Sequence, residues 1–337
     1  MQDVARRAGV APMTVSNVVN GHPHVREATR ARVLEAIAEL GYHLNTAARS
    51  LRQGRTGVIG LAISDFSNAY FGLLAGFVAE RAAAHGYEVL VEQIGQRREG
   101  EVDAIARSRL RKFDGLILHS TELADRDSAM LRSSYPIVVM GERAYSDPID
   151  HVSMGNEDGA LMATRHLIER GCRRIALIGG RHGAPDDIDV STQRTRGYLR
   201  ALDEHGIDRS NGLVLETPLH CEGGRSSAHA VVEHPGGVDG IFCATDEVAI
   251  GTLRALYERG IRVPNDIKVI GFDAIPVGSY TAPSLSTVEP DHEGMADAAV
   301  RLLIERLQGD RPEDEYREIV GGARLLIRES TAVSSPF

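Results

Sequence analysis

The side chains that most often catalyse reactions or bind metal ions are scattered along this sequence of 337 residues. It contains no Walker-type phosphate loop, no nucleophile elbow and no HExxH metal motif, and no GxGxxG follows its first candidate strand. His22 and His24 only flank a proline in a loop, and Gly179 to Gly183 lacks the glycine spacing of a dinucleotide-binding loop. The sequence therefore predicts no catalytic residue, no metal site and no cofactor, and it favours a protein that is not an enzyme.

Composition and cysteine usage narrow the class of protein further. Hydrophobic residues make up 42% of the chain, as in an ordinary globular protein, and no run approaches the roughly 18 apolar residues of a membrane span. The first six residues lack the apolar core of a signal peptide, so we expect a cytoplasmic protein without membrane contact. Cys172, Cys221 and Cys243 are odd in number and far apart, which predicts buried free thiols rather than disulfides.

Charge is divided unevenly along the chain. The net charge of −9 would by itself disfavour nucleic-acid binding. Residues 1–57, however, carry eight arginines and four acidic residues, a net charge of +4, which leaves −13 for the remainder. A small basic segment joined to a large acidic one indicates that the first contacts a polyanion and the second does not.

The basic segment reads as three short helices. The pattern predicts helices over Asp3–Ala8, Met13–Asn20 and Glu27–Leu40, with Gly9 at a tight turn after the first and Gly41 capping the third. Two helices around a glycine turn, braced by a third helix, are typical of a helix-turn-helix domain.

From Val58 onward, short apolar runs alternate with helical stretches, which predicts an α/β body with parallel sheets. Four helices are expected to end in left-handed glycine caps, at Gly86, Gly171, Gly206 and Gly260. At about 275 residues the segment is too long for one comfortable sheet, and we expect two sheets, divided near residue 155. The candidate strands are Val58–Ile63, Glu88–Val91, Gly115–Leu118, Ile137–Met140, Arg174–Ile178, Gly240–Cys243 and Lys268–Gly271.

Residues Asp3 to Gly21 resemble, position by position, the DNA-binding head of the lactose-repressor (LacI/GalR) family of bacterial transcription regulators. Asn45 to Leu51 is similar to the hinge helix of that family. The resemblance covers about 330 residues, and it implies an effector-controlled repressor with a body like that of periplasmic binding proteins. The body motifs that carry it, in the family's order, are Ala69 to Phe71, Thr164 to Gly179, Thr245 to Asp246, Val263 to Pro264, Gly271 to Asp273 and Leu285 to Val288.

The resemblance implies which residues contact DNA. The second helix would enter the major groove, and Ala48 and Leu51 of the hinge would enter the minor groove, where the leucine kinks the duplex. Seven residues are too few for a stable isolated helix, so we expect residues 45–52 to be disordered without DNA. In the alternative interpretation, the short polar side chains of the second helix are ordinary surface residues. The side chains placed at base edges are those of Met13, Thr14, Ser16, Asn17 and Asn20.

The resemblance also implies an effector cavity between two body subdomains, at the carboxyl ends of the strands. An aromatic wall opposite an arginine and acidic residues suits a sugar, a polyol or a nucleoside, because rings stack and charged groups hold hydroxyls. Structural interpretations stay open: Asp246 as a helix cap, Phe71 as a core residue, and Arg194 with Asp273 as an ion pair. The implied effector-binding residues are Tyr70, Phe71, Arg194, Asp246 and Asp273.

Three features depart from the family pattern. Ala274 follows Asp273 where the family has a second acid. Leu219 is aliphatic at a position that is often aromatic in relatives that stack a ring. The stretch Arg181 to Gln193 carries three aspartates and looks longer than usual, so the mouth of the cavity is expected to be either reshaped or more acidic.

The predicted organisation is a head, a hinge, a two-subdomain body and a tail. The tail lacks leucine heptads, so we expect a homodimer, which would match a palindromic operator. A solute-binding receptor or an α/β enzyme on the same body are the alternatives; the first would need an export signal and the second a nucleophile with its base. The predicted ranges are 1–44 for the head, 45–56 for the hinge helix and linker, 57–330 for the body (57–154 with 289–315, and 155–288 with 316–330) and 331–337 for the tail.

Overall fold

The structure is a computed structural model that describes residues 1–19, 22–42, 55–132, 135–142, 145, 147–184, 187, 189–312 and 314–332. The chain divides into two compact units, Met1–Thr56 and Gly57–Phe337. The described strands are β1 Val58–Ile63, β2 Glu88–Gln93, β3 Gly115–His119, β4 Ile137–Met140, β5 His151–Ser153, β6 Ile175–Ile178, β7 Leu213–Leu215, β8 Gly240–Cys243, β9 Lys268–Phe272, β10 Ser286–Pro290, β11 Glu318–Val320 and β12 Ala323–Leu326. The described α-helices are α1 Gln2–Ala8, α2 Pro12–Val19, α3 Glu27–Glu39, α4 Ala69–Ala84, α5 Arg98–Arg107, α6 Ser128–Leu131, α7 Asn156–Glu169, α8 Val190–Glu204, α9 Cys221–Val232, α10 Asp246–Glu258 and α11 His292–Gln308.

The first unit is three helices around a small apolar core. Helix α1 ends at Gly9, whose φ of 63° is left-handed and whose N–H returns to the carbonyls of Ala5 and Arg6. The three predicted helices are confirmed, with each described end within one residue of its expected place. The core is formed by Val4, Ala5, Ala8, Val15, Val18, Val33 and Ala36.

The second unit contains two six-stranded sheets with the same relative order of strands. The first has the order β11-β5-β4-β3-β1-β2, with all neighbouring strands parallel. The second has the order β12-β10-β9-β8-β6-β7 and is parallel except for β12, which runs antiparallel to β10. In each sheet the strand order reverses beside the first strand of that sheet, β1 or β6, which creates a crevice at the carboxyl ends where α/β proteins bind ligands.

All seven predicted strands are present, and the four predicted glycine caps have left-handed φ angles between 64° and 90°. Prediction missed β5, β7, β10, β11 and β12. Four of these are only three or four residues long, and β10 carries two hydroxyl residues and a glutamate, so none gives an apolar run of four or more residues.

The predicted boundaries between the subdomains need correction. Strand β11 belongs to the first sheet, where Glu318 pairs with His151, although residues 316–330 were assigned to the second subdomain. The chain crosses for the third time at residues 321–322, where the N–H of Gly321 donates to the carbonyl of Ser153 at 2.8 Å. The second crossing follows Pro290, two residues after the predicted position, because β10 remains in the second sheet to its end.

The end of the body also extends beyond its predicted limit. Thr331 is buried, and its hydroxyl lies 2.8 Å from Nε2 of His166 and 2.7 Å from Oγ of Ser286, so it belongs to the second subdomain rather than to a tail. Cys172 and Cys243 are buried as predicted, but Cys221 is exposed because it begins α9 at the surface. Among the described helices, none combines the length and the apolar character needed to cross a membrane.

Candidate functional site

Helix α2 of the first unit separates its apolar and polar residues by face. Val15 and Val18 are buried in the head core, as expected for positions that share one side of a helix. The predicted base-contacting residues remain accessible: Met13 is 71% exposed, and Thr14, Ser16 and Asn17 are partly exposed. This arrangement leaves a polar surface that a DNA groove can meet. The predicted contacts of Asn20, Ala48 and Leu51, and the predicted disorder of the hinge, lie outside the described residues.

A cavity of about 450 Å³ lies between the two sheets of the second unit, at the carboxyl ends of their strands. From the first sheet, Ser64 follows β1, His119 ends β3 and Glu142 comes two residues after β4. From the second sheet, Thr245 follows β8 and Asp273 follows β9. The cavity is thus built from both subdomains, and its volume suits a small molecule.

Tyr70 and Phe71 form an aromatic wall of the cavity at the start of α4. The side chain of Asn68 caps this helix by accepting from the N–H of Tyr70 at 2.9 Å. The ring of Phe71 meets the imidazole of His119 edge-on, with centroids 4.8 Å apart, and the two aromatic rings are 5.1 Å apart. Both rings are mostly buried and belong to the apolar core. Tyr70 and Phe71 are therefore core residues and cavity-lining residues at the same time.

Arg194 and Asp273, which the sequence analysis selected from distant motifs, meet in the cavity wall. Nη2 of Arg194 lies 3.2 Å from Oδ1 of Asp273, and both side chains are at least nine-tenths buried. The guanidinium also stacks on Phe272, 3.7 Å from the ring centroid, and its Nε donates to Oδ1 of Asn156 at 2.8 Å. Arg194 and Asp273 therefore form the ion pair of the structural interpretation, and both residues also line the cavity.

The structure does not support Asp246 as an effector-binding residue. It is fully buried and is not part of the cavity lining, while Thr245 and Glu247 on either side of it are. Its carboxylate accepts from the N–H of Ile275 at 2.9 Å and from the hydroxyl of Thr287 at 2.6 Å. It is not the helix cap either, because Thr245 caps α10 by accepting from the N–H of Val248.

Glu142 is a cavity residue that sequence reasoning missed. Its Oε1 accepts from the N–H of Met154 at 3.1 Å, at the first crossing between the sheets. Burial raises the pKa of Glu142 to about 7, against the opposing effects of that N–H and of the positive charge on Arg194. No local motif marks this residue, but it lies two residues after a predicted strand end, which is where ligand-binding side chains collect.

Two further wall residues carry buried polar atoms without hydrogen-bond partners among the described residues. These atoms are Oγ of Ser64 and Nδ1 of His119. Burial lowers the pKa of His119 to about 4, so its imidazole is neutral near pH 7. A ligand in the cavity is the natural partner for both atoms, since buried polar groups are nearly always hydrogen-bonded.

Of the three aspartates expected at the mouth of the cavity, Asp186 lies outside the described residues and Asp187 pairs with Arg181 at 3.0 Å. Asp189 lines the cavity and caps α8 by accepting from the N–H of Ser191 at 2.9 Å, and Arg181 lies 3.5 Å from the same carboxylate. Leu219 also lines the cavity, so its aliphatic side chain faces the ligand space. No group of three His, Cys, Asp or Glu residues within the described part of the chain is placed to hold a metal ion.

Comparison with known proteins gives the same division of the chain. The family profile "Bacterial regulatory proteins, lacI family" matches residues 1–45, and "Periplasmic binding protein-like domain" matches residues 164–331. The chain is 33% identical to a ribose operon repressor of Halalkalibacterium halodurans, over 98% of this chain and 96% of that protein. It is 32% identical to the HTH-type transcriptional repressor PurR of Vibrio atlanticus, over 95% of each.

Solved structures that resemble the whole chain include two complexes with small molecules. The lac repressor dimer bound to operator and the anti-inducer ONPF has a TM-score of 0.81 at 26% identity, covering 98% of both chains. The complex of the transcriptional regulator CelR with cellobiose has a TM-score of 0.71 at 29% identity, again covering 98% of both chains. A DNA-binding head on a two-sheet body with a ligand cavity defines a ligand-responsive transcription regulator. The chain belongs to the LacI family of bacterial regulatory proteins.

Proposed function

We propose that this protein is a dimeric repressor that binds a palindromic operator and changes its affinity when a sugar, a polyol or a nucleoside fills the cavity of its body. The observation that carries the proposal is one cavity lined from both sheets, in a chain whose first 45 residues match a DNA-binding head. The ligand is bound and released unchanged, and the protein acts in the cytoplasm, where its operator lies.

The cavity is placed to couple ligand binding to movement of the subdomains. Its walls come from both sheets, and three chain crossings join them. One contact spans the opening: Oε1 of Glu247, at the start of α10, accepts from the N–H of Ala69 at 3.1 Å, at the start of α4. A ligand that binds one angle between the subdomains better than another shifts the equilibrium toward it, with a coupling free energy of about 1 to 3 kcal/mol.

The walls favour a small hydroxylated ring. Tyr70 and Phe71 offer aromatic surface, while Arg194, Asp273 and Glu142 offer hydrogen-bonding groups that can hold hydroxyls. The known complex of a similar regulator with cellobiose, and the ribose repressor among the relatives, support a sugar as the first candidate. In DNA recognition, Met13, Thr14, Ser16, Asn17 and Asn20 would contact bases, and Ala48 and Leu51 would enter the minor groove.

The proposal is tested by measuring operator affinity with and without ligand. Genomic fragments that the protein retains would identify the operator, and fluorescence anisotropy would then give its dissociation constant in the presence of sugars, polyols and nucleosides. At least one compound is expected to change that constant by about tenfold, the range of ordinary allosteric coupling. A protein that retains no specific DNA fragment would contradict the proposal.

A matched pair of variants assigns the ligand response to the cavity. Asp273→Asn alters the buried partner of Arg194, so we expect it to keep operator binding and lose most of the response to ligand. Asp203→Asn, which alters an exposed carboxylate paired with Arg209, is expected to respond as the wild type does. If ligand changed the operator affinity of Asp273→Asn as much as that of the wild type, the proposal that the effector acts through this cavity would be wrong.

A further inference from the structure

The charges of the cavity define which class of effector it accepts, and this inference rests on the proposed function. Among the described residues that line the cavity, five carry carboxylates and one carries a guanidinium. An anionic ligand would therefore be desolvated against like charges, which costs binding energy without compensation. The five acidic residues are Asp65, Glu142, Asp189, Glu247 and Asp273.

The single guanidinium is already committed to the protein. Nε of Arg194 donates to Asn156, Nη1 donates to the carbonyl of Ala244, and Nη2 contacts both Asp273 and Sδ of Met154. Recognition of a phosphate or a carboxylate by arginine commonly uses two parallel N–H groups of the fork. With every nitrogen of the group engaged and one of its partners a carboxylate, Arg194 is poorly placed to neutralise an anion.

Helix N-termini, the other common anion-binding feature, are also occupied by the protein's own side chains. Four helices begin at the cavity, α4, α8, α9 and α10, and each has first-turn N–H groups that could bind an anion. In α9 the Nδ1 atom of His220 accepts from the N–H of Gly223 at 3.1 Å. In α8 and α10 the side chains of Asp189 and Thr245 accept from Ser191 and Val248, respectively. In α4, Asn68 accepts from Tyr70 and Glu247 accepts from Ala69.

The cavity wall presents buried polar atoms that a hydrogen-bond donor of a ligand can satisfy. Oγ of Ser64, on a residue that is 1% exposed, and Nδ1 of His119 have no partner among the described residues. Around them the wall is rich in carboxylate oxygens, which only accept hydrogen bonds when ionised. Hydroxyl and ammonium groups donate, so they complement this surface in both charge and hydrogen bonding.

We propose that the effector is a donor-rich, uncharged or cationic compound, a neutral sugar or an amino sugar, and that the cavity rejects phosphorylated and carboxylated forms of the same ring. Glu142 is a specificity-determining residue in this selection. It is partly buried beside the first crossing segment, where it accepts from the N–H of Met154, and its charge acts on the phenol of Tyr70 together with the charges of Asp273 and Arg194.

The test uses the full-length protein and sets of compounds that share one ring. Suitable sets are D-glucose, D-glucosamine, D-glucose 6-phosphate and D-gluconate; D-galactose, D-galactosamine and D-galacturonate; D-ribose and D-ribose 5-phosphate; and adenosine with adenosine monophosphate. Binding is measured by calorimetry and by the shift in melting temperature. We expect that, in each set that binds, the neutral or amino member binds at least about tenfold more tightly than the anionic member, which one unfavourable charge contact can produce.

Two results would overturn the inference: an anionic member that binds as tightly as its neutral partner, or failure of every neutral and amino member to bind. Operator binding, measured on the same samples, separates this inference from the proposed function. If an anionic compound changes operator affinity, ligand-controlled regulation stands and only the charge selection fails. If no specific operator is bound, the proposed function fails regardless of what the cavity binds.

Glu142→Gln tests the assigned residue with little change of shape. Above pH 7, where the carboxyl of Glu142 is mostly ionised, the amide removes one negative charge, so we expect the ratio of the anionic to the neutral dissociation constant to fall by about tenfold. Glu80→Gln, on an exposed part of α4, is the control and should leave the preference unchanged. An unaltered preference in a folded Glu142→Gln protein would remove this residue from the selection.

Discussion

The buried acids of the body differ in role because their neighbours differ. Burial raises the pKa of Asp273, and the positive charge of Arg194, 3.2 Å away, opposes that shift. Burial and the negative charge of Asp273 also raise the pKa of Asp246, whose carboxylate accepts from two hydrogen-bond donors. Glu142 lies between these cases, with one backbone donor and a pKa of about 7.

Protonation of Glu142 should make stability depend on pH. Its pKa is about 7 in the folded chain against an ordinary value of 4.5, so the folded state holds the proton more tightly. The cost of burying the charge is absent below pH 4.5 and grows as the pH rises through about 7, to at most about 3 kcal/mol. We expect the melting temperature of the wild type, relative to that of Glu142→Gln, to fall over this range. A difference in melting temperature between the two proteins that does not change with pH would contradict this prediction.

Asp246 should matter for stability more than for ligand binding. Asp246→Ala leaves the N–H of Ile275 buried without its acceptor, at a cost of about 1 to 3 kcal/mol, and leaves the hydroxyl of Thr287 with the more distant carbonyl of Val288 at 3.3 Å. Asp246→Asn keeps an acceptor oxygen and should lose less. Urea denaturation measures both variants. If Asp246→Ala were as stable as the wild type but bound ligand more weakly, the prediction that Asp246 binds the effector would be supported instead.

Sequence reasoning identified the turn after β8 but not which of its residues faces the ligand. Motif matching selected Asp246, whereas Thr245 and Glu247 line the cavity, because successive residues at a helix start point about 100° apart. Arg194 and Asp273 were predicted correctly as neighbours, since each belongs to a motif with a fixed place in the fold. Glu142 was missed because nothing local distinguishes it from other surface glutamates.

At the scale of elements, buried carboxylates also shape the loops that form the cavity. Glu101 of α5 is fully buried and accepts from the hydroxyl of Ser120 at 2.7 Å and from the N–H groups of Thr121, Glu122 and Leu123 at 2.7 to 3.0 Å. One side chain thus fixes the segment that follows β3, two of whose residues line the cavity.

Removing this carboxylate should loosen the segment. Glu101→Ala is expected to destabilise the body by several kcal/mol, about 1 kcal/mol or more for each lost bond to a charged acceptor. Faster amide hydrogen exchange at residues 121–123 is the specific readout. Glu122→Ala, which alters an exposed side chain of the same loop, is the control. Unchanged exchange at these amides would show that the loop is held by other contacts.

Elements with strong local signals were predicted well, and short ones were not. The glycine caps at Gly86 and Gly260 could be predicted because a left-handed φ suits glycine after a helix, and φ is 78° and 68° there. Strand β11 has three residues and pairs with β5, which is remote in sequence, so its place in the first sheet depends on tertiary contacts that no local pattern contains.

For the whole molecule, the charge division now has a structural boundary. The basic segment coincides with the compact unit Met1–Thr56, and the acidic remainder forms the body with its carboxylate-rich cavity. The body is expected to be repelled by DNA, which leaves phosphate contacts to the head and hinge.

This division predicts strong salt dependence. Operator affinity of the full protein should fall as salt rises, with a logarithmic slope of about −0.9 for each phosphate contacted. A fragment that starts at Gly57 should bind no DNA at low salt, as measured by gel shift. Binding by that fragment, or an affinity that does not change with salt, would contradict the assignment of DNA contact to the basic segment.

The most direct test of ligand-controlled DNA binding is a titration of operator affinity against a ligand already shown to raise the melting temperature of the full protein. We predict that a saturating ligand changes the operator dissociation constant by about tenfold or more, and that Asp273→Asn removes most of this change. An operator dissociation constant that stays the same at saturating ligand would contradict the account, because the cavity would then be uncoupled from the head.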